Sequence, residues 1–524
     1  MVLSLGVIIL AINTNPQVFG REIGIVLSGA SAGLAPIALR NDAESIVADE
    51  QLVVIYDKKY ENTLMLGVIR WVHRLEPFLR RGIRTVYTDH PEALEDELVL
   101  GYSNAWVEIY GALTDKGISE NTRAPHPGSR VFLIEDGSVL SKYISLDKPM
   151  IVGEHKYSGW KLPLNHQALR YHVGVFGATG MGKSRLVRAL IEEIVDKGYS
   201  LIIFDHTGID YAQPYREKGY GDHIVESSKI KLSPDIIAQL ILELSRLSDY
   251  YTDYVMAATI CYVSMIEGKV SSVEECLGLS TTKQSWGRRR HTQTVINMTG
   301  DNGEGKEGIW SKDEYLRVLR TTMENMGARE TGIARVRSFI NFFLDEGFFD
   351  QLNERTITPN ELISMAKDKE FIIVDMSTDT HLVVKQAIIA DTARAGWKWI
   401  ALNHKPINLG LVVDEAQNYA SEGRSISAIE LERIAREGRK WGYFIILVSQ
   451  RVARDIRTSI RSNLGTVFFS KLQATGDLNE IAGYLDLGKL NEAALAMLAP
   501  REFFVAGLMN PLRRPILLRI REVK

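Results

Sequence analysis

Eight consecutive residues, Gly177-Ala178-Thr179-Gly180-Met181-Gly182-Lys183-Ser184, fit G-x-x-x-x-G-K-[ST] without a mismatch. The residue types suit the binding of a polyphosphate. Glycines let backbone N–H groups turn inward around a β-phosphate, Lys183 reaches the β and γ oxygens, and the Ser184 hydroxyl coordinates Mg²⁺ at a helix N-terminus. Arg185, next in line, completes the set that faces the nucleotide. The chemistry is the binding of ATP with Mg²⁺.

A second cluster lies some 230 residues on. The apolar run Leu409-Gly410-Leu411-Val412-Val413 ends in Asp414 and Glu415. A nucleotide hydrolase needs one carboxylate in the Mg²⁺ shell and another beside the attacking water, which assigns Asp414 to the metal and Glu415 to the water. The apolar run 443–449 ends in Gln450, an amide placed to sense the γ-phosphate if this strand neighbours the acidic one. Just upstream, Arg433, Arg436, Arg439 and Lys440 close a helix. They either complement the helix dipole or supply an arginine finger to a neighbouring subunit, and their spacing does not separate the two.

These residues need strands to hold them. Apolar runs at 172–176, 200–204, 371–375, 409–414, 443–449 and 466–470 alternate with long amphipathic stretches, the pattern of a largely parallel sheet covered by helices. The strand at 172–176 feeds the glycine-rich loop. Residues 184–197 follow it with Leu186, Leu190, Ile191, Ile194 and Val195 on one helical face. An α/β nucleotide-hydrolase domain is therefore expected over residues 165–524, with a mostly helical insert at 228–369 whose clearest helices are 235–247 and 313–326. Inside the insert, the basic run Arg288, Arg289 and Arg290 and the glycine- and charge-rich 299–308 read as an exposed loop.

Residues 1–164 have another texture. Short β-branched runs at 24–27, 51–56, 63–69, 85–88, 131–134 and 149–152 alternate with turn residues and predict a small all-β barrel or sandwich, with a helical stretch near 92–99. Residues 2–12 read as a buried opening strand: they lack the charged start and cleavage pattern of a signal peptide and are too short to cross a bilayer.

Composition sets the outer bounds. With 524 residues, 45% hydrophobic and 24% charged, the chain is a multi-unit globular protein, not a disordered, collagenous or coiled-coil one. Sixty-two basic against 65 acidic residues leave a net charge of −3, so any nucleic-acid contact is local. Cys261 and Cys276 have no partners at zinc spacing, which speaks against a disulfide framework and for a reducing, cytoplasmic setting.

Taken together, GATGMGKS, LVVDEAQNY and AREGRKWGYFIILVSQR resemble the HerA branch of the HerA/FtsK superfamily of DNA-pumping ATPases. The resemblance implies a RecA-like ATPase domain behind an N-terminal HAS-type barrel, and a homohexameric ring with nucleotide between subunits and double-stranded DNA in the channel. It also implies a partner nuclease of the NurA kind; separately, the sequence has no apolar stretch of about 18 residues, so no membrane partner is expected. Carried onto this chain, the resemblance makes Lys183 and Ser184 the phosphate-loop residues, Asp414 and Glu415 the acidic pair, Gln450 the sensor, and Arg436 or Arg439 the finger acting in trans.

Three positions depart from the family pattern. Asp205-His206-Thr207-Gly208-Ile209-Asp210-Tyr211 stands where the family carries Asp-Pro-His-Gly-Glu-Tyr, Met181 where a serine is usual, and Val452 where a proline is common.

The expected function is ATP-driven translocation on duplex DNA that feeds ends to a nuclease during repair, with Arg288, Arg289 and Arg290 as candidate phosphate contacts. Two alternatives stay open: a nucleotide-gated assembly module of a defence or repair complex with slow turnover, and a conjugation or packaging pump.

Overall fold

The computed structural model describes residues 16–75, 79, 84–90, 102–278, 308–423, 425–451, 456–472 and 476–523. Five of the expectations above therefore fall outside the described residues: the strand at 2–12, the helix near 92–99, the basic run Arg288, Arg289 and Arg290, nearly all of the loop 299–308, and Val452.

Near the N-terminus seven strands form one antiparallel sheet: β1 (Glu22–Val26), β2 (Leu34–Leu39), β3 (Leu52–Asp57), β4 (Thr63–Leu75), β5 (Tyr102–Thr114), β6 (Gly117–Ser119) and β7 (Arg130–Leu133). Their order is β2-β1-β7-β3-β4-β5-β6, and a further pairing of β2 with β5, from Leu34↔Glu108 to Ala38↔Asn104, closes six of them into a barrel. Alternation of side chains across each strand fills the inside. Ile23, Ile37, Val53, Ile55, Met65, Ile69, Val107 and Val131 are all buried there.

Two runs expected as strands are not. Residues 85–88 fall in the short helix Val86–Asp89, where Thr85 N donates to Thr88 Oγ1 at 3.2 Å in a capping box. Local capping outweighs the β-preference of the two threonines. Within 149–152 there is only an isolated bridge from Met150 to Leu164. Conversely β2, β5 and β6 went unread, because their alternation is broken by small and polar residues.

The strands that follow are β8 (Gly153–His155), β9 (Val173–Phe176), β10 (Ser200–Asp205), β11 (Ile224–Glu226), β12 (Phe371–Asp375), β13 (Leu409–Val413), β14 (Tyr443–Ser449), β15 (Thr466–Phe469), β16 (Glu502–Gly507) and β17 (Ile516–Ile520). All six apolar runs expected as strands are strands. The chain divides into two compact units. The first comprises residues 1–201, 406–423 and 431–524, and the second residues 202–405 and 424–430.

In the first unit the order is β13-β14-β9-β15-β16-β17-β8. The strands β13, β14, β9 and β15 run parallel, and β16, β17 and β8 extend the sheet antiparallel. The four parallel strands are buried along their whole length, as strands covered on both faces must be.

The second unit carries β11, β12 and the end of β10, then the expected helices: Pro234–Leu244 and Lys312–Asn325 match the two amphipathic stretches. Thr252–Ile266 and Glu330–Phe343 pack with them. Here one expectation is corrected. Cys261 and Cys276 are joined by a disulfide, their Cα atoms 5.6 Å apart. The turn between Thr252–Ile266 and the short helix Val273–Cys276 brings back a residue fifteen positions on, and cysteine count alone does not register such a return. The inference from cysteine usage to a reducing compartment loses its footing with it.

Among the described residues no helix is long and apolar enough to cross a membrane.

Candidate nucleotide-hydrolysis site

Strand register decides which side chains meet. On β9, Phe176 lies opposite Ser449 of β14 and Phe469 of β15, so Gly177, Gln450 and Ser470 leave the sheet at one edge. On β13, Val413 lies opposite Leu447, which brings Asp414 and Glu415 out beside the last residues of β14. The phosphate-type loop, the acidic pair and Gln450 are thereby gathered at the carboxyl ends of adjacent strands, where open α/β sheets hold their ligands.

The loop is stitched in place by its own backbone. Gly177 N donates to Ser449 O at 3.3 Å, Ala178 N to Lys471 O at 2.7 Å, and Arg501 N to Met181 O at 2.8 Å. Gly180 and Gly182 have φ of 80° and 92°, a region that favours glycine, and Gly182 caps the helix Lys183–Asp196. Gly182, one of the pattern's two fixed glycines, is thus a backbone requirement, as is Gly180 at one of its variable positions. Met181 is buried, and its carbonyl is what Arg501 holds, so the departure from serine leaves the cradle intact.

Lys183 folds back over the loop. Its Nζ donates to Gly177 O at 2.8 Å and to Ala178 O at 3.3 Å, so the cation is held over the cradle by carbonyls. Ser184 and Arg185 follow in the first helical turn, both half-buried, while Thr179 and Gly180 are exposed at the loop tip. The donor set suits magnesium: a hydroxyl and the nearly buried Asp414 carboxylate are hard oxygen ligands that leave room for water.

Glu415 turns sharply out of β13, with φ of 46°. Such a conformation is uncommon for a side chain with Cβ and marks a position fixed by its surroundings. Two amides hold its carboxylate. Gln417 Nε2 donates to Oε2, and Gln450 Nε2 donates to Oε1 at 3.2 Å and Oε2 at 3.5 Å. Gln450 Oε1 in turn accepts from Thr179 Oγ1 at 3.1 Å, and Ser449 Oγ donates to Gln417 Oε1 at 2.9 Å. A continuous polar chain therefore runs from the loop tip through Gln450 to Glu415.

Arg436 and Arg439 are elsewhere. Arg436 pairs with Glu432 at 2.7 Å, and the Arg439 guanidinium lies 4.0 Å from the centroid of the Tyr171 ring. Tyr171 precedes β9 and Gly438–Trp441 precedes β14, so Arg439 sits at the amino ends of strands whose carboxyl ends carry the site. Four residues of β9 separate the two edges by about 13 Å. At the amino edge His172, buried with φ of 64°, accepts from Ile445 N at Nδ1 (3.3 Å) and meets Ala435 O through Nε2 (3.1 Å). Nothing in its local sequence marks it.

In the second unit, the divergent loop after β10 keeps a structural role. Asp205 is fully buried and its two oxygens accept from the backbone N–H groups of Thr207, Gly208, Tyr211 and Ala212, at 2.8–3.3 Å. Burial raises its carboxyl above the ordinary carboxylate range, with those N–H groups pulling the other way. The retained Asp and Gly shape the turn, and the groups that bond Asp205 are main-chain N–H groups, which the changed side chains also supply.

One family model and three known proteins are similar to this chain. The family model for the helicase HerA central domain matches residues 150–394. A DNA double-strand break repair helicase HerA from Sulfolobus acidocaldarius is 22% identical over 484 residues, covering 88% of this chain and 87% of its own. One from Saccharolobus solfataricus is 22% identical, covering 75% of this chain and 72% of its own. Among solved structures, VirB4 of Thermoanaerobacter pseudethanolicus gives a TM-score of 0.49 at 15% identity, over 72% of this chain and 98% of that one. The chain is similar to HerA helicases over most of its length, and the HerA central-domain model spans its phosphate-type loop.

Proposed function

We propose that this chain couples ATP hydrolysis to movement along double-stranded DNA as a homohexameric ring. The observation that carries the reading is the chain Thr179–Gln450–Glu415, which ties the tip of a phosphate-type loop to the carboxylate beside it. Gly177 to Ser184, with Arg185, hold the triphosphate. Lys183 neutralises its β and γ oxygens, Ser184 and Asp414 hold Mg²⁺, and Glu415 accepts the proton of the attacking water. When bound, Mg²⁺ supplies charge neutralisation at the developing phosphate oxygens. Gln450, bonded to both Thr179 and Glu415, reports the state of the γ-phosphate to both.

Arg436 and Arg439, at the far edge of the sheet from their own loop, serve a neighbouring subunit's nucleotide. Residues 165–524, with the helical insert 228–369, act as the motor, and residues 1–164 assemble the ring and receive a nuclease of the NurA kind. Relatives named as double-strand break repair helicases support a place in end processing. The run Arg288, Arg289 and Arg290 provides phosphate contacts without base readout.

The test is steady-state ATP hydrolysis with and without linear duplex DNA, with Glu415→Gln and Lys183→Ala as blanks. Stimulation by duplex, lost in both variants, is the expected result. Turnover no higher than that of the blanks would overturn it in favour of a nucleotide-gated assembly module.

A further inference from the structure

The turn that enters β16 carries a cation that none of the motifs includes. Arg501 N donates to Met181 O at 2.8 Å, and Ile520 N donates to Arg501 O at 2.9 Å, so the residue is pinned between the phosphate-type loop and the end of β17. Its side chain lies along the loop, Cγ being 3.4 Å from where a Cβ on Gly182 would stand. Its φ is +73°. A glycine would occupy that conformation without strain, yet the chain places its bulkiest cation there.

The guanidinium is only lightly engaged. Nη1 is 3.4 Å from the Glu522 carboxylate, and the two side chains are 43% and 85% exposed, a setting in which an ion pair adds little. Arg521, beside Glu522, pairs with Glu192 at 2.7 Å and Glu193 at 3.2 Å on the helix Lys183–Asp196. The end of β17 is thereby held against the helix that the loop opens.

We propose that Arg501 is a further phosphate ligand of the nucleotide site, contributed by the same subunit. Its guanidinium leaves Glu522 for the diphosphate seated over Gly182, and the planar fork suits two phosphate oxygens at once. Glu522 parks the cation when no nucleotide is present. This rests on Gly177 to Ser184 being a nucleotide site.

The test uses the full chain, calorimetric titration with MgADP, and steady-state ATP hydrolysis. Arg501→Gly is the informative variant, because glycine relieves the backbone strain while removing the charge. It should melt at or above the wild-type temperature and bind MgADP about tenfold more weakly, the loss of a charge-assisted contact. Because the contact is made to ground and transition states alike, KM for ATP should rise by a similar factor with kcat held within about twofold. Glu522→Gln, which frees the cation, should bind MgADP at least as tightly as the wild type.

Wild-type affinity in Arg501→Gly would overturn the proposal while leaving the nucleotide site standing. Equal weakening by Glu522→Gln would overturn it by assigning both residues to packing of the hairpin. A wild-type chain with no affinity for MgADP would remove the nucleotide site itself, and the proposal with it.

Discussion

Gln450 and Glu415 share hydrogen bonds across two neighbouring strands, Nε2 lying 3.2 Å and 3.5 Å from the two carboxylate oxygens. The amide cannot shift toward Thr179 without changing what it offers Glu415. Removing either side chain should therefore spare nucleotide affinity and lower turnover. Glu415→Gln, which keeps the shape and loses the base, should reduce kcat by about 10²–10⁴. Gln450→Ala should reduce it by about tenfold or more, the scale of one lost orienting hydrogen bond. Equilibrium binding of MgADP beside kcat checks both, and a Gln450→Ala enzyme of wild-type kcat would disconnect the two residues.

Arg439 offers a test of assembly. Arg439→Ala should bind ATP normally and lose about 10³ or more in kcat if it completes a neighbour's site. Mixing it with Lys183→Ala subunits should restore part of the activity, since some interfaces then carry an intact loop and an intact finger. Tyr171→Ala, which removes only the ring beneath the guanidinium, separates this from packing. Mixtures no more active than their components would exclude a finger.

Arg70 is almost fully buried between two carboxylates, bonded to Glu50 and, at 3.0 Å, to Glu108. Glu108 also accepts from Lys489 N, and Tyr110 OH donates to Pro515 O at 2.6 Å, so the cluster fastens the barrel to the chain's last strands. Arg70→Met should cost about 3–5 kcal/mol by leaving buried Glu50 without its cation and Glu108 with only the more distant Arg514, at 3.5 Å. Replacing Glu50 and Glu108 by glutamine in the same chain should recover much of that. Denaturant midpoints measure it.

Two buried histidines set an acid limit. His155 and His172 are both pushed down to about 4 by burial, against hydrogen bonds to the carbonyls of Glu50 and Ala435. The unfolded chain takes up these protons near pH 6.5, the folded chain only near pH 4. Their contribution is complete above pH 6.5 and is lost as pH falls from there toward 4, by about 1.4 kcal/mol per unit for each histidine. Tm should drop through that window, and His172→Gln should flatten the slope. An unchanged slope would mean the imidazole is already charged in the fold.

The parts of the site that were legible in the sequence are local strings. Gly177 to Ser184 and 409–415 carry strand, turn and chemistry within a few residues of one another. The placing of Gln450 beside Glu415 needed one assumption, that β13 and β14 are neighbours, and the sheet order provides it. Arg501 and His172 went unread for the opposite reason. Arg501 acquires its position from Met181, 320 residues earlier, and His172 from Ala435 and Ile445. Thr85 and Thr88 misled because β-branched residues also cap helices. Cys261 and Cys276 misled because the turn between two helices, not their spacing, brings them together.

Closure of the barrel by β2 and β5 has a consequence for how neighbours recognise one another. Within that closed circuit every strand has spent its ladder on a partner, and β6 alone, three residues long, continues the sheet beyond it. Among the described residues, a partner meeting these six strands finds side chains, with no main-chain template to extend. Strand addition, which is indifferent to sequence, is closed to it. Any specificity a partner had for that surface would have to be carried by side chains such as Ile25, exposed on β1, which point substitution can change while the scaffold stays as it is.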